Sequence, residues 1–327
     1  MLYDPRPSEY AVTSESEIQS LGKKLIETGE DISLLHLLPL PLPAQDARLS
    51  LPSTLPDVRE VIMNEISLQP QPINHHCIAE FAIKFLRSLK YTPSQIKQTE
   101  VATRGQRLCK RWQEERQYRI TASKFGTVIK RRRNHTALAK QLLYTKVLSG
   151  SVVALVWGQQ HEVDALEFYK KSLGPMFTVH ETGVYISDCG FLGASPDGIV
   201  KDVSGHTVRL VEVKCPYRGR NKTLDEMYAD NSFCCLSVNG HPMLKQNHEY
   251  YFQVQGQMAI TGIHTCDFVI WTPSDFLVLS VLYDEIFWKT QCYAALKHFY
   301  LYVMLPEIVY PKYPELSFDY SHVLIYP

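Results

Sequence analysis

No apolar run in this 327-residue sequence approaches the about 18 residues that a membrane-spanning helix needs, so none is expected. Net charge is missing too: 34 Lys and Arg balance 34 Asp and Glu, for a formal charge of +0. That balance excludes a globally basic nucleic-acid binder. A local basic groove stays open, because the local field governs contact with a phosphate backbone. The eight cysteines contain no CxxC pair. The start, MLYDPRPSEYAVTSESEIQ, lacks the basic-then-apolar order of a targeting peptide. A reduced intracellular compartment, nuclear in a eukaryotic cell, is therefore the expectation. No internal repeat is visible.

What is present suffices for a sizeable core: 45% hydrophobic and 21% charged residues, in one large domain with extensions or two modest domains. Residues 1–75 read as a Pro-rich N-terminal extension or linker, since Pro39, Pro41 and Pro43 alternating with Leu block helix and central strand alike. In IAEFAIKFLRSLK, the residues Ile78, Phe81, Ala82, Phe85 and Leu89 form one helical stripe. Thr92 and Pro93 make an N-cap and first turn for a second helix, expected to run to about Glu115. The basic run Lys130, Arg131, Arg132 and Arg133 is read equally as a solvated helix end, a localisation signal or a phosphate contact. A helical stretch near 136–150 precedes WGQQHEVDALEFYKKSLG, a helix stopped by Gly174 and Pro175. The period then changes, giving strands at ETGVYIS, FLGAS, DGIV and TVRLVEVK. A helix over 248–262, strands CDFVIWT and FLVLSVLY, and a helix from Asp284 to Val303 follow, with 311–327 as a tail. This order implies an α/β domain over 76–310, with a mixed sheet and helices on both faces.

The segment FLGASPDGIVKDVSGHTVRLVEVKCP places Asp197, Glu212 and Lys214 among apolar, β-branched residues. Alternation puts Val208, Leu210, Glu212 and Lys214 on one face and Val211 and Val213 on the other. A hairpin would bring Asp197 beside the charged pair. Two adjacent carboxylates raise one another's pKa, a cost that a hard divalent cation reverses. Lys214 would balance charge, orient water or stabilise an attacked phosphate, an arrangement suited to metal-assisted phosphodiester hydrolysis. From this motif alone, a surface hairpin with an ion pair carries equal weight. Its neighbours shift the balance: Glu162 can deliver a third carboxylate from a helix, Gln253 and Gln255 can orient water or phosphate, and Arg116, Ser123, Ser195, Arg218 and Arg220 can donate to phosphate oxygens.

In this order, RQYRITASKFG, WGQQHEVDALEFY, GASPDG, VEVKCPYRGR and YYFQVQGQM resemble the YqaJ-like viral recombinase or lambda-exonuclease family of the PD-(D/E)xK nucleases. The matching pieces span roughly Trp112 to Thr272. The resemblance implies a restriction-endonuclease-like core with a central mixed β-sheet flanked by helices, plus an N-terminal helical or irregular extension. It implies Asp197 and Glu212 as ligands of Mg²⁺ or Mn²⁺, with Glu162 completing the site and Val213 among the metal positions. Lys214 would be the catalytic lysine and Gln253 the motif glutamine, with Gln255 as alternative. Arg116, Ser123, Ser195 and Arg220 match positions that hold a 5′-terminal phosphate, and Arg218 and Gln255 join them as phosphate donors. The implied activity is 5′-to-3′ resection of linear duplex DNA in recombination or repair. A toroidal trimer and a single-strand annealing or recombination partner occur in some family members. The Pro-rich start and the insertion over 221–247 fall outside the match.

Other residues carry plainer readings. Cys234, Cys235, His241 and His248 match no zinc-finger spacing. His161 reads as a supporting or packing residue, Trp157 and Tyr251 as core, and Tyr217 equally as core or DNA contact. Cys215 reads as an inert thiol rather than a nucleophile. Two rivals to the exonuclease reading remain at this point: a structure-specific endonuclease of the same fold, and a non-catalytic DNA-binding scaffold on a nuclease fold.

Overall fold

The computed structural model describes residues 75–144 and 153–309. The expected extension over 1–75 lies outside the described residues but for His75, and the tail over 311–327 lies outside them too. Helices α1 (His75–Ser88), α2 (Pro93–Ala102) and α3 (Lys110–Arg116) lead to strand β1 (Ile120–Thr121), α4 (Phe125–Ile129) and α5 (His135–Tyr144). The long α6 (Val153–Ser172) precedes β2 (Phe177–His180), β3 (Tyr185–Ile186), β4 (Leu192–Ala194), β5 (Gly198–Asp202) and β6 (Thr207–Lys214). Next come α7 (Leu224–Tyr228), the hairpin of β7 (Cys235–Val238) and β8 (His241–Leu244), and α8 (Glu249–Thr261). Strands β9 (Thr265–Trp271) and β10 (Phe276–Leu282) follow. The final helical stretch alternates α9 (Glu285–Phe287), α10 (Ala294–Phe299) and α11 (Leu305–Val309) with π-helical turns at Trp288–Tyr293 and Tyr300–Met304.

The central five-stranded sheet has the order β10-β9-β6-β5-β2. It is mixed: β6 and β9 run parallel, joined through α8, and the other pairs are antiparallel. On one face, Ala165 and Tyr169 of α6 pack against Val200, Val211, Val213 and Val269. On the other, Val254 and Met258 of α8 pack against Leu210, Cys266, Phe268 and Ile270. The two faces of β6 therefore split by residue parity, with Glu212 directed toward α8 through hydrogen bonds from Gln253 and Gln257. A third core joins α1, α4, α5 and the final helices to the small sheet β1-β4-β3. No described helix is long and apolar enough to cross a membrane.

Several local expectations change. The helix opened by the Thr92 capping box stops at Ala102 rather than near Glu115, because Gly105 (φ 82°) and Gln106 (φ 45°) take left-handed conformations that cannot continue it. ETGVYIS contributes only Tyr185–Ile186 to a sheet. Its Gly183 and Val184 amides donate instead to Glu100 Oε1 (3.1 Å) and Thr103 Oγ1 (2.8 Å) of the α2 end. A Cβ at Gly183 would stand 2.0 Å from the Glu100 carbonyl oxygen, so this approach needs glycine. Val208 does not share the face of Leu210. The β5–β6 register pairs Val200 with Arg209 and Lys201 with Thr207, leaving Val208 as a bulge that turns it onto the α6 face. Strand β2 and the β7–β8 hairpin add elements that the sequence pattern did not announce.

Candidate active site

Asp197 is placed by the turn between β4 and β5. The Pro196 carbonyl accepts from Thr182 Oγ1 (2.6 Å) and Gln106 Nε2 (2.8 Å), which pins the turn to the α2–α3 connection. The Asp197 amide donates to the Val211 carbonyl (3.0 Å), and its Oδ2 accepts from the Val213 amide (2.7 Å). The side chain is thus tied to the C-terminal end of β6, where Glu212 and Lys214 project from the same face.

Glu212 is only 2% exposed. Its Oε1 accepts from Lys214 Nζ and from Gln253 Nε2 (2.5 Å), and its Oε2 accepts from Gln257 Nε2 (2.6 Å). The Lys214 ammonium also lies 4.9 Å above the Tyr250 ring. Burial pushes the Asp197 carboxyl well above its usual range, and the charge of Glu212 pushes it further, with Lys214 opposing. Burial alone would lower Lys214, but the Glu212 and Asp197 carboxylates outweigh it and hold the ammonium above its ordinary pKa. The thiol of Cys215 is pushed up to about 12, first by burial and then by Glu162 and Asp197, which keeps it protonated and unsuited to nucleophilic attack.

Glu162 lies half-buried on α6. Burial raises its carboxyl, Arg107 lowers it, and Glu212 raises it further, so it shares the field of the β6 pair. Among the described residues, however, no three His, Cys, Asp or Glu side chains gather at metal-ligating spacing. The donor chemistry still fits a hard divalent cation: such ions use one or two carboxylates and fill the remainder with water and phosphate oxygen. Asp197 and Glu212 supply those oxygens. Val213 could join only through its main-chain carbonyl, because its side chain packs in the α6-facing core and its amide is spent on Asp197.

The phosphate-donor positions divide. Arg116 stacks 3.8 Å over the Trp112 ring, and its Nη1 donates to Ser195 Oγ (3.3 Å), which also accepts from Trp112 Nε1 (3.0 Å). Burial lowers the Arg116 pKa to about 10, against an upward pull from Glu212, so it remains a cation at neutral pH. Ser123 is exposed, 3.4 Å from Thr121 Oγ1, just past β1. Since β1 and β4 run parallel with Thr121 opposite Gly193, Ser123 and Ser195 leave the same end of that pair. Arg220 stacks 3.9 Å over Tyr217, and Arg218 reaches Ser232 Oγ (3.4 Å). Gln255 is a correction. Its Nε2 donates to the Leu282 carbonyl (2.9 Å) and its Oε1 accepts from the Asp284 amide (2.8 Å). Two residues along a helix face away from each other, so Gln253 and Gln255 cannot share the site. Gln257, four residues beyond Gln253, does share it, and that spacing was the overlooked signal. His161 stacks on Trp271 (5.2 Å) and meets the tilted ring of Trp157 (4.0 Å), with Nδ1 3.1 Å from Asp164 Oδ2.

Residues 111–264 match the model of the YqaJ-like viral recombinase domain. The alkaline nuclease of Orgyia pseudotsugata multicapsid polyhedrosis virus is 28% identical over 131 residues, covering 36% of this chain and 31% of that protein. The alkaline nuclease of Autographa californica nuclear polyhedrosis virus is 27% identical over 123 residues, covering 34% of this chain and 29% of that protein. The chain thus spans about a third of the length of these curated relatives. Among solved structures, an alkaline exonuclease (LHK-Exo) from Laribacter hongkongensis matches with a TM-score of 0.47 at 25% identity, covering 61% of this chain and 94% of that one.

Proposed function

We propose that this chain, whose residues 111–264 match the model of the YqaJ-like viral recombinase domain, is a divalent-metal-dependent nuclease that resects linear duplex DNA from the 5′ end. The observation that carries the reading is the convergence of Asp197, Glu212 and Lys214 at one end of the β5–β6 hairpin, under the amides of Gln253 and Gln257.

Asp197 and Glu212 would hold Mg²⁺ or Mn²⁺, with the Val213 carbonyl beside them and Glu162 reaching the ion through water. When bound, such an ion supplies Lewis acidity at the scissile phosphate. The remaining work falls to the chain. Gln253 and Gln257 fix both oxygens of Glu212, so that its lone pairs stay aimed without rotamer search. Burial lowers the Lys214 pKa, and the Glu212 and Asp197 carboxylates outweigh it and raise it. Its ammonium, paired with Glu212, would act as a hydrogen-bond donor and a counter-charge to the attacked phosphate. Arg116, steered by Trp112 and sharing Ser195, presents a cation suited to a terminal phosphate. Arg220 and Ser123 would complete that contact. The resemblance, rather than the site chemistry, adds a setting in recombination or repair, with a single-strand annealing protein and a homotrimer.

Lys214→Ala tests the assignment. Hydrolysis of linear duplex should fall by about 10²–10³-fold, the usual cost of removing one charge-stabilising donor. The circular-dichroism spectrum and DNA affinity should stay near those of the parent. Equal degradation by variant and parent would remove Lys214 from the reaction.

A further inference from the structure

The basic run after α4 takes no part in the site described above. Lys130, Arg132 and Arg133 are exposed, and among the described residues none of them forms an ion pair. Arg131 belongs to the fold instead. It is half-buried, and its Nη2 donates to the Asn134 carbonyl (3.3 Å) across a turn where Asn134 takes φ 55°. Lys130 is tied to a segment 117 positions away, where its Nζ donates to the Asn247 carbonyl (3.1 Å). Gly126 permits this crossing, because a Cβ there would stand 2.7 Å from the Glu249 Cα at the start of α8. The crossing sets Lys130 near Lys245, whose Nζ donates to the Asn231 carbonyl (3.0 Å) and whose own carbonyl accepts from the His248 amide (3.0 Å). Burial and then the charge of Lys130 lower the His248 pKa, Glu249 opposes, and Lys245 adds to the fall. Glu249, held by Thr127 Oγ1 (3.4 Å), is thus a carboxylate set against several cations.

Long cations with little carboxylate between them suit a polyanion whose charges repeat. Helix α4 starts just past Ser123, a candidate phosphate position, and Lys130 follows its last turn, about 10 Å further on by the helical rise. Duplex DNA carries a phosphate about every 3.4 Å along each strand, so such a spacing reaches beyond the terminal nucleotide. Resting on the nuclease reading above, we propose that Lys130, Arg132, Arg133 and Lys245 form a second nucleic-acid contact, which holds backbone phosphates of the duplex several nucleotides from the cut. The contact reads charge and carries no base preference. The 221–247 insertion then acquires a role, since it delivers Lys245 to the end of α4.

The test separates the duplex arm from the active site. The full-length protein in EDTA is titrated with a fluorescein-labelled, 5′-phosphorylated duplex of several helical turns, and with a 5′-phosphorylated dinucleotide too short to reach the ridge. Both titrations are repeated over a series of salt concentrations. The triple variant Lys130→Gln, Arg132→Gln, Arg133→Gln should bind the duplex at least about tenfold more weakly at low salt. Its plot of log affinity against log salt should be shallower by about two to three, and dinucleotide affinity should match the parent's. Lys245→Gln should make the same plot shallower by about one, and it decides the matter if the triple variant fails to fold. Arg132→Lys with Arg133→Lys should keep the parent's affinity, because charge is what is read. Parental duplex affinity and salt slope in the folded triple variant would overturn the proposal and leave the run solvated or read by another protein. Equal weakening of duplex and dinucleotide would also overturn it, since the active site would then be what had changed. A protein that cuts DNA yet gives either result loses this contact and keeps the nuclease reading. One that shows the expected slopes yet never cuts DNA loses only the nuclease reading.

Discussion

At the scale of single residues, two glutamines two positions apart have opposite duties. Gln257 donates to Glu212 Oε2 from a fully buried position, whereas Gln255 ties α8 to the Leu282 carbonyl and the Asp284 amide. Gln257→Leu leaves one Glu212 oxygen buried without its donor. Turnover should drop about tenfold or more, since a hydrogen bond to a charged group is worth about 1.5–3 kcal/mol. Gln255→Leu should instead cost about 1–3 kcal/mol of stability, from the two main-chain groups left unpaired, with turnover per folded molecule unchanged. Urea unfolding and single-turnover kinetics separate the two. Reversed effects would mean that the wrong glutamine has been assigned to the site.

At the scale of elements, α8 is the beam that carries Gln253 and Gln257, and Gly256 sets its height. A Cβ at Gly256 would come within 2.3 Å of the Phe125 ring and 3.2 Å of Trp288. Gly256→Ala should therefore cost about 1–3 kcal/mol by overpacking and lower turnover as well, because any shift of α8 moves both amides. A melting temperature equal to the parent's would contradict this packing. Strand β6 was legible from TVRLVEVK alone, since β-branched alternation and the charged end both survive folding. The stop of α6 was legible from Gly174, which takes φ 71°. Less legible were β2, the β7–β8 hairpin and the break after α2. Gly105, at φ 82°, is a local mark of that break, whereas the contact of Glu100 and Thr103 with Gly183 and Val184, about 80 positions away along the chain, is one that no local pattern encodes. At the site, Asp197, Glu212 and Lys214 were visible as residues, and Gln253 against Gln255 was an open choice that helical periodicity settles toward Gln253 and Gln257.

At the scale of the whole molecule, zero net charge means that the proposed nucleic-acid contact rests on local features, Arg116 with Ser195 and Arg218 with Lys222. A 5′-phosphorylated linear duplex should be degraded faster than its 5′-hydroxyl twin, and a covalently closed circle should survive. Cutting of the circle would favour the endonuclease. The central claim is that Asp197 and Glu212 form one divalent-cation site. Burial and mutual repulsion raise the Asp197 carboxyl, and the cation binds only the ionised form. Proton release on binding should follow, and affinity should climb as pH rises from the ordinary carboxylate range toward the raised pKa of Asp197. The direct measurement is calorimetric titration of the protein with Mn²⁺ at several pH values, in two buffers of different ionisation enthalpy, alongside Asp197→Asn. The account predicts saturable binding that strengthens with pH, releases protons and is lost in Asp197→Asn. Binding that is absent in the parent protein, or equal in Asp197→Asn, would contradict it.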